Sequence, residues 1–150
     1  MQLSDRQRRL LRLHAEASMI AQRYGVNVRY DREDGTWLHV ERLPIPPGWN
    51  RPTVDILIDV PHGIPGYPQV APEWFWTNRD LATQNGRPVS HFFKLGNQGV
   101  DEEHWRKGFG HFCIHLLSWR PASNLILEQG DTMLSYLRVI LQVFHERRYT

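Results

Sequence analysis

The sequence contains one thiol, Cys113, and it lies between two imidazoles, His111 and His115. Each histidine is two residues from the cysteine, so in an extended segment all three side chains point to one side. The thiolate is the reactive form of cysteine, and a protonated imidazole nearby raises the thiolate fraction. A lone cysteine cannot form a disulfide within its own chain. Cys113 is therefore either a small buried hydrophobe or a nucleophile, and these residues alone leave both interpretations open.

The same residue types are also competent zinc ligands, because zinc prefers thiolate sulfur and imidazole nitrogen. His111, Cys113 and His115, with His104 as a fourth candidate, would form such a set. Strict alternation of ligands is unusual for a structural zinc site, and the chain has no second cysteine. We therefore expect no metal, and the sequence indicates no cofactor.

Composition restricts the class of protein. The chain has 150 residues, of which 41% are hydrophobic, and this predicts one globular domain spanning residues 1–150. Eighteen Lys and Arg against sixteen Asp and Glu give a net charge of +2, a balance too even for a nucleic-acid-binding surface. One cysteine fits a reducing compartment, and no apolar run is long enough to cross a membrane. We expect a cytoplasmic protein with neither nucleic acid nor membrane as partner.

The elements that position the candidate residues begin with a helix. Ser4 and Gln7 have the spacing of a capping box, and Gly25 follows the last residue of the apolar periodic pattern, as a helix C-terminus requires. The face opposite the apolar stripe carries four arginines near the helix N-terminus, where positive charge is slightly unfavourable. Such a cluster suits a docking surface for an acidic partner, and its members are Arg6, Arg8, Arg9 and Arg12.

The helix is followed by a predicted sheet. Short strands are indicated at residues 26–30 and 36–41, joined by an Asp34-Gly35 turn, and at 54–60 and 74–77. Residues 78–110 are repeatedly interrupted by glycine and carry little periodicity. The last quarter is a helix with Asp131 as its predicted N-cap. The order predicts an α+β fold with an N-terminal helix, a four-stranded antiparallel meander, an active-site loop and a C-terminal helix.

Three motifs in this order resemble those of the ubiquitin-conjugating enzymes, which have the UBC fold. The segment from Tyr67 to Pro72 is similar to the family's Tyr-Pro-x-x-Pro-Pro stretch, and it leads into the fourth strand. Gly110 to Ile114 resembles the Gly-x-Ile-Cys-Leu signature of the active site. Trp119 to Ala122 resembles Trp-Ser-Pro-Ala, and a long helix follows. The resemblance covers nearly the whole chain.

The chain also departs from the family pattern. The family carries His-Pro-Asn shortly before the cysteine, and here residues 102–107 read Glu-Glu-His-Trp-Arg-Lys, with no asparagine. The stretch between Thr77 and Cys113 is longer than in typical members. These departures resemble the divergent prokaryotic branch, whose members are encoded beside an activating enzyme and a ubiquitin-like protein, often in bacterial antiviral defence operons.

The resemblance implies acyl transfer through a thioester. Cys113 would accept the C-terminal glycine of a ubiquitin-like protein from an activating enzyme and pass it to an amine on a target protein. His111 and His115 would assist the thiolate, and His115 would also orient or deprotonate the incoming lysine. In place of the missing asparagine, His104 is the first candidate oxyanion donor and Asn97 the second.

The arginine-bearing helix would bind the activating enzyme, which is the acidic partner that the resemblance implies.

The main alternative to an enzyme is a non-catalytic UBC-like module that binds or presents a ubiquitin-like protein. Retention of Cys113 argues against this alternative, and loss of the His-Pro-Asn element argues for it.

Overall fold

A computed structural model describes residues 2–87, 89, 92–93, 102–114, 116 and 118–147, with the backbone alone described at Phe93, Glu102, Cys113 and Arg147. The order of elements confirms the α+β prediction. The elements are α1 (Asp5–Tyr24), β1 (Val28–Tyr30), β2 (Trp37–Pro44), β3 (Thr53–Asp59), β4 (Trp74–Asn78), β5 (Phe92–Phe93), α2 (Glu102–Arg106), β6 (Phe109–Cys113) and α3 (Met133–Arg147).

The first helix begins and ends where the sequence predicts. The Ser4 hydroxyl accepts a hydrogen bond from the backbone N–H of Gln7 at 3.1 Å, and the Gln7 side chain accepts one from the N–H of Ser4 at 2.8 Å. Gly25 adopts φ 64°, a left-handed conformation that glycine enters without the steric penalty of a Cβ atom. The capping box and the C-cap of α1 are therefore both confirmed.

The start of α3 differs by one residue from the prediction. The Thr132 hydroxyl accepts from the backbone N–H groups of Leu134 and Ser135, and the Ser135 hydroxyl accepts from the N–H of Thr132. The predicted N-cap, Asp131, is wrong because its carboxylate accepts instead from the backbone N–H of Arg120, at 2.7 Å. This contact joins the start of α3 to the segment that follows the cysteine.

The sheet is antiparallel throughout and larger than the predicted meander. Strands β1 to β4 form that meander, and β6 then pairs with the far side of β4, giving the order β1-β2-β3-β4-β6-β5. The long segment after β4 thus returns to the sheet, and Cys113 is the last residue of a strand. The register places Trp74 opposite Cys113 and Trp76 opposite His111.

Alternation along the strands divides the sheet into two faces. One face packs against α1 and α3 and forms the core, in which Ile56, Phe75 and Phe112 are fully buried. Burying a side chain of this size contributes about 1.5–3 kcal/mol. The other face, here called the outer face, carries a smaller apolar cluster of Leu57, Trp76, Trp37, Trp105 and Phe109. Helix α2 supplies Trp105, so the long segment partly covers the outer face.

Candidate active site

The backbone at Cys113 is held on both sides. Its partner across the ladder is Trp74, and the N–H of the next residue, Ile114, donates to the carbonyl of Glu73 at 3.0 Å. Further along, the indole N–H of Trp119 donates to the carbonyl of Pro68 at 2.7 Å. The Trp119 hydrogen bond therefore joins the chain after Cys113 to the Tyr-Pro segment. Together these contacts hold the backbone at Cys113 in place.

His111 is buried beside the cysteine's strand end. Only 2% of the residue is exposed, and its ring lies 4.9 Å from each of the Trp74 and Trp76 rings, centroid to centroid. Burial lowers the pKa of His111 because the imidazolium is poorly solvated there, and the Asp59 carboxylate only partly opposes this. Burial therefore favours the neutral form of His111 over the cation that would support a thiolate, and the assistance assigned to His111 stays a prediction.

His104 contacts a carboxylate. From α2, its Nε2 lies 3.2 Å from Oδ1 of Asp59, and its ring packs against Trp76 at a centroid separation of 4.9 Å. The indole N–H of Trp76 donates to Oδ2 of the same Asp59 at 2.8 Å. Two ring nitrogens thus hold one carboxylate, an arrangement here called the Asp59 clamp. The geometry favours a role for His104 in orienting Asp59 over donation to an oxyanion.

Two other predicted site residues, His115 and Asn97, lie outside the described residues. Their assigned roles stay predictions. The same holds for the thiol of Cys113, of which only the backbone is described.

Asp59 stands between two clefts on the outer face. A cleft of about 610 Å³ lies towards α2, with Trp37, Leu57 and Phe109 among its lining residues. A groove of about 330 Å³ lies between the end of β3 and the start of β4, and we call it the strand-end groove. It is lined by Asp59, Val60, Pro61, His62, Val70, Ala71, Glu73 and Trp74. The Asp59 side chain, 42% exposed, borders both openings.

Sequence reasoning missed Asp59 and Trp76. The alternation along residues 54–60 marks Asp59 as an outward-facing position, and that is the signal that was available. Nothing in the sequence shows that Trp76 and His104 meet the same carboxylate, because the three residues come from separate elements. The clamp exists only through the sheet register and the return of the long segment.

The arginine face of α1 divides into buried and exposed members. Arg9 is 6% exposed and donates to the backbone carbonyls of Asp34 and Gly35. Arg12, 3% exposed, pairs with Glu16 at 2.8 Å and donates to the Ala122 carbonyl. The prediction that these two arginines face solvent is wrong, because each one joins α1 to a distant loop.

Arg6 and Arg8 remain on the surface. Arg8 lies 3.7 Å from Asp5, and Arg6 lies 3.5 Å from Asp34, both as exposed ion pairs. Arg8 also lines a cavity of about 490 Å³ between the N-terminal part of α1 and the loop that carries Ile64. Ile64 is 94% exposed, so an apolar side chain stands beside an exposed positive charge.

A buried network lies beneath this surface. The Glu16 carboxylate accepts hydrogen bonds from the Tyr67 hydroxyl and from the N–H of Met133, in addition to its pair with Arg12. Burial and the Glu16 charge raise the pKa of Tyr67 well above its usual value. Tyr67 is therefore an un-ionised donor that fixes the Tyr-Pro segment against both helices.

Within the described residues, no three His, Cys, Asp or Glu side chains come close enough together to hold a metal ion. Among those same residues, no helix has the length and apolar character that crossing a membrane requires.

Comparison with known proteins identifies a family. The family described as Prokaryotic E2 family E matches residues 21–143. No curated protein and no solved structure matches the chain. The matched range contains β1 to β6, Cys113 and most of α3.

Proposed function

We propose, on the premise that the chain belongs to Prokaryotic E2 family E and has a function of the ubiquitin-conjugating type, that Cys113 carries a ubiquitin-like protein as a thioester. The observation that supports this best is the position of Cys113, the sole cysteine, at the end of β6 and two strands from the Asp59 clamp. The Cys113 thiolate attacks the thioester of an activating enzyme, and the acyl group moves from one sulfur to the other. An amine on a target protein then displaces the Cys113 thiolate.

The test is a thioester-trapping assay. It uses the activating enzyme and the modifier ending in glycine whose genes lie nearest to the gene for this chain. With ATP, wild type should form an adduct that thiol reductant removes, and Cys113→Ser should form an oxyester that the same reductant leaves intact. Asp80→Asn, at an exposed site distant in sequence, is the matched control and should charge as wild type does. An activating enzyme that is itself charged but leaves wild type unmodified contradicts the proposal.

The activating enzyme is proposed to dock at the N-terminal part of α1, through the exposed arginines Arg6 and Arg8 and through Ile64. The support is that Arg8 lines a cavity beside the protruding apolar side chain of Ile64, and that Arg6 adds a second exposed guanidinium on the same helix. An acidic partner with an apolar contact would complement this surface.

One observation favours a second candidate, a non-catalytic module that binds a ubiquitin-like protein. The chain lacks the family asparagine, and the described part of the site gives His104 to Asp59 rather than to an oxyanion. Under this alternative, Cys113→Ala retains partner binding and wild type forms no adduct in the trap.

The proposed setting is a bacterial cytoplasm and an antiphage operon. The resemblance to the prokaryotic branch is its support. Neighbouring genes for an activating enzyme and a modifier, and loss of phage protection in a Cys113→Ala strain, are the expected results. Equal plaque counts in both strains would contradict the antiphage role alone.

A further inference from the structure

The strand-end groove has the chemistry of a binding site for an aliphatic chain that ends in an ammonium group. Its lining residues include Pro61, Val70, Ala71 and Trp74, together with the acidic residues Asp59 and Glu73. Apolar walls suit the methylenes of a long side chain, while a carboxylate attracts the cationic end. Trp74, 39% exposed, also offers a ring face on which a cation is stabilised.

The sheet register relates Asp59, which lines the groove, to Cys113. Ile58 lies opposite Phe75 in the β3–β4 ladder, so continuing the register by one residue places Asp59 beside Trp74. Trp74 in turn lies opposite Cys113. Adjacent strands are about 4.8 Å apart, which puts the Cα atoms of Asp59 and Cys113 about 10 Å apart. The Trp74 side chain stands between them on the outer face, so an amine bound at Asp59 would reach an acyl group on Cys113 over the Trp74 ring.

The carboxylate at this position is held in place. Both of its oxygens accept hydrogen bonds, from Trp76 and His104, yet the side chain remains 42% exposed to the two openings. The other polar side chain that borders both openings is His62, whose Nδ1 lies 3.0 Å from the Val60 carbonyl. Asp59 is thus an oriented, accessible negative charge at the groove.

We propose that the strand-end groove binds the acceptor as a lysine side chain, with Asp59 contacting its amine as a catalytic residue and Glu73 adding to the attraction of the cation. This inference rests on the proposed function of Cys113. An α-amine without an alkyl tether and a hydroxyl acceptor would not use the groove, because neither combines an aliphatic stem with a terminal cation.

The proposed reaction is attack of the lysine amine on the thioester of Cys113. The bound ammonium loses one proton to solvent, and the free amine forms a C–N bond to the thioester carbonyl carbon. The nitrogen becomes cationic and acidic as that bond forms, and it passes its second proton to the Asp59 carboxylate. The C–S bond then breaks, sulfur leaves as the Cys113 thiolate, and Asp59 returns the proton to solvent. The His104 and Trp76 hydrogen bonds act as positioning contacts for the carboxylate.

The test loads Cys113 chemically, so it does not depend on an activating enzyme. A fluorescent peptide ending in Gly-Gly, supplied as a mercaptoethanesulfonate thioester, exchanges onto the only thiol of the chain. Discharge is then followed with free lysine and, separately, with hydroxylamine, which is neutral and has no alkyl stem. The glutathione thioester of the same peptide gives the uncatalysed rate.

Wild type is expected to accelerate lysine discharge at least tenfold over the glutathione thioester. Asp59→Asn should remove most of that acceleration and change hydroxylamine discharge less than twofold, and Asp80→Asn should match wild type for both. The inference would be overturned if wild type and Asp59→Asn discharged to lysine at the same rate. It would also be overturned if Asp59→Asn slowed discharge to lysine and to hydroxylamine by the same factor. Lack of acceleration by wild type would overturn it too.

A second variant covers the case in which Asp59→Asn does not fold. Glu73 is exposed, so Glu73→Gln leaves the core unchanged, and it should lower lysine discharge at least threefold with hydroxylamine unaffected. Unchanged lysine discharge by this variant would then overturn the inference. Failure of the cognate activating enzyme to charge Cys113 is a separate result, which contradicts the proposed function through an assay that chemical loading bypasses.

Discussion

At the scale of residues, side chains that lie close together in the sequence have different surroundings in the fold. Cys113 is the nucleophile of the proposal, and His111, two residues before it, is buried between two tryptophans, where burial lowers its pKa. His104 contacts the carboxylate of Asp59. A histidine near a cysteine in sequence is therefore not sufficient evidence for a thiolate–imidazolium pair, because burial decides which protonation state exists.

Replacement of Cys113 by alanine should abolish conjugation while leaving the fold intact. Removal of the thiol eliminates the acyl acceptor, whereas a small apolar side chain at the strand end keeps the β4–β6 ladder. The expected results are no adduct in the trap and a urea unfolding midpoint close to that of wild type. Target modification by Cys113→Ala would contradict the mechanism.

The buried histidines predict a loss of stability in mild acid. Burial lowers the folded-state pKa of His111 and, with burial again the largest cause, that of His39. The unfolded chain, with a histidine pKa of about 6.5, then binds more protons than the folded protein. This contribution to stability is present above about pH 6.5 and is lost as pH falls towards the folded pKa values.

Urea unfolding at pH 7.5 and at pH 5 measures this loss. The free energy of unfolding of wild type should fall between the two, and His111→Phe should show a smaller fall. His145→Gln, at an exposed site on α3, is the control and should retain the wild-type difference. An identical fall for wild type and His111→Phe would contradict burial of a neutral His111.

At the scale of elements, the arginines of α1 divide into a buried set that holds the fold together and an exposed set that is available to a partner. Its Arg12–Glu16 pair is internal and joins α1 to the Ala122 loop and to the start of α3. Its Arg6 and Arg8 side chains are external. The four arginines look alike in sequence, and only contacts with residues about 25 and 110 positions away separate them.

Disruption of the buried pair should lower stability strongly. Glu16→Ala leaves the Arg12 guanidinium, the Tyr67 hydroxyl and the N–H of Met133 without their shared acceptor, so we expect a loss of about 3–5 kcal/mol in the free energy of unfolding. Arg8→Ala, which removes only an exposed ion pair with Asp5, should change it by less than about 1 kcal/mol. Similar unfolding midpoints for the two variants would contradict the internal role.

Charge reversal at the exposed arginines should act on partner docking instead. The double variant Arg6→Glu, Arg8→Glu should slow charging by the activating enzyme roughly tenfold, and the effect should shrink at high salt because exposed charges are screened. Lysine discharge of chemically loaded protein should be unchanged. Equal charging rates for wild type and the double variant would remove Arg6 and Arg8 from the docking surface.

At the scale of the whole molecule, local patterns were predictable and long-range contacts were not. The capping box at Ser4 and the stop at Gly25 follow from residues within one turn, and β1 to β4 follow from alternation and turns. Strand β6 carries no comparable signal, because its partner β4 is about thirty residues away and its glycine and aromatics suit several structures. The Asp59 clamp was unpredictable for the same reason, since it requires three elements to meet.

The long segment between β4 and β6 contributes to both faces of the sheet. It adds β5 at the sheet edge with Val89 and Phe92 packed against the core, and α2 supplies Trp105 to the outer face, while α1 and α3 cover the core face. The proposed acceptor groove and the cavity beside the proposed docking surface both use the loop between β3 and β4, but they have no lining residue in common. Substitutions at Arg6 and Arg8 and at Asp59 can therefore alter charging and discharge separately.

The central claim, a glycyl thioester on Cys113, is tested most directly by intact mass spectrometry under non-reducing conditions after incubation with activating enzyme, ATP and modifier. We predict a species heavier than the chain by the modifier mass less one water, which returns to the free chain on addition of hydroxylamine and is absent from Cys113→Ala. A wild-type chain that keeps its unmodified mass while the activating enzyme is charged, or the same adduct on Cys113→Ala, would contradict the account.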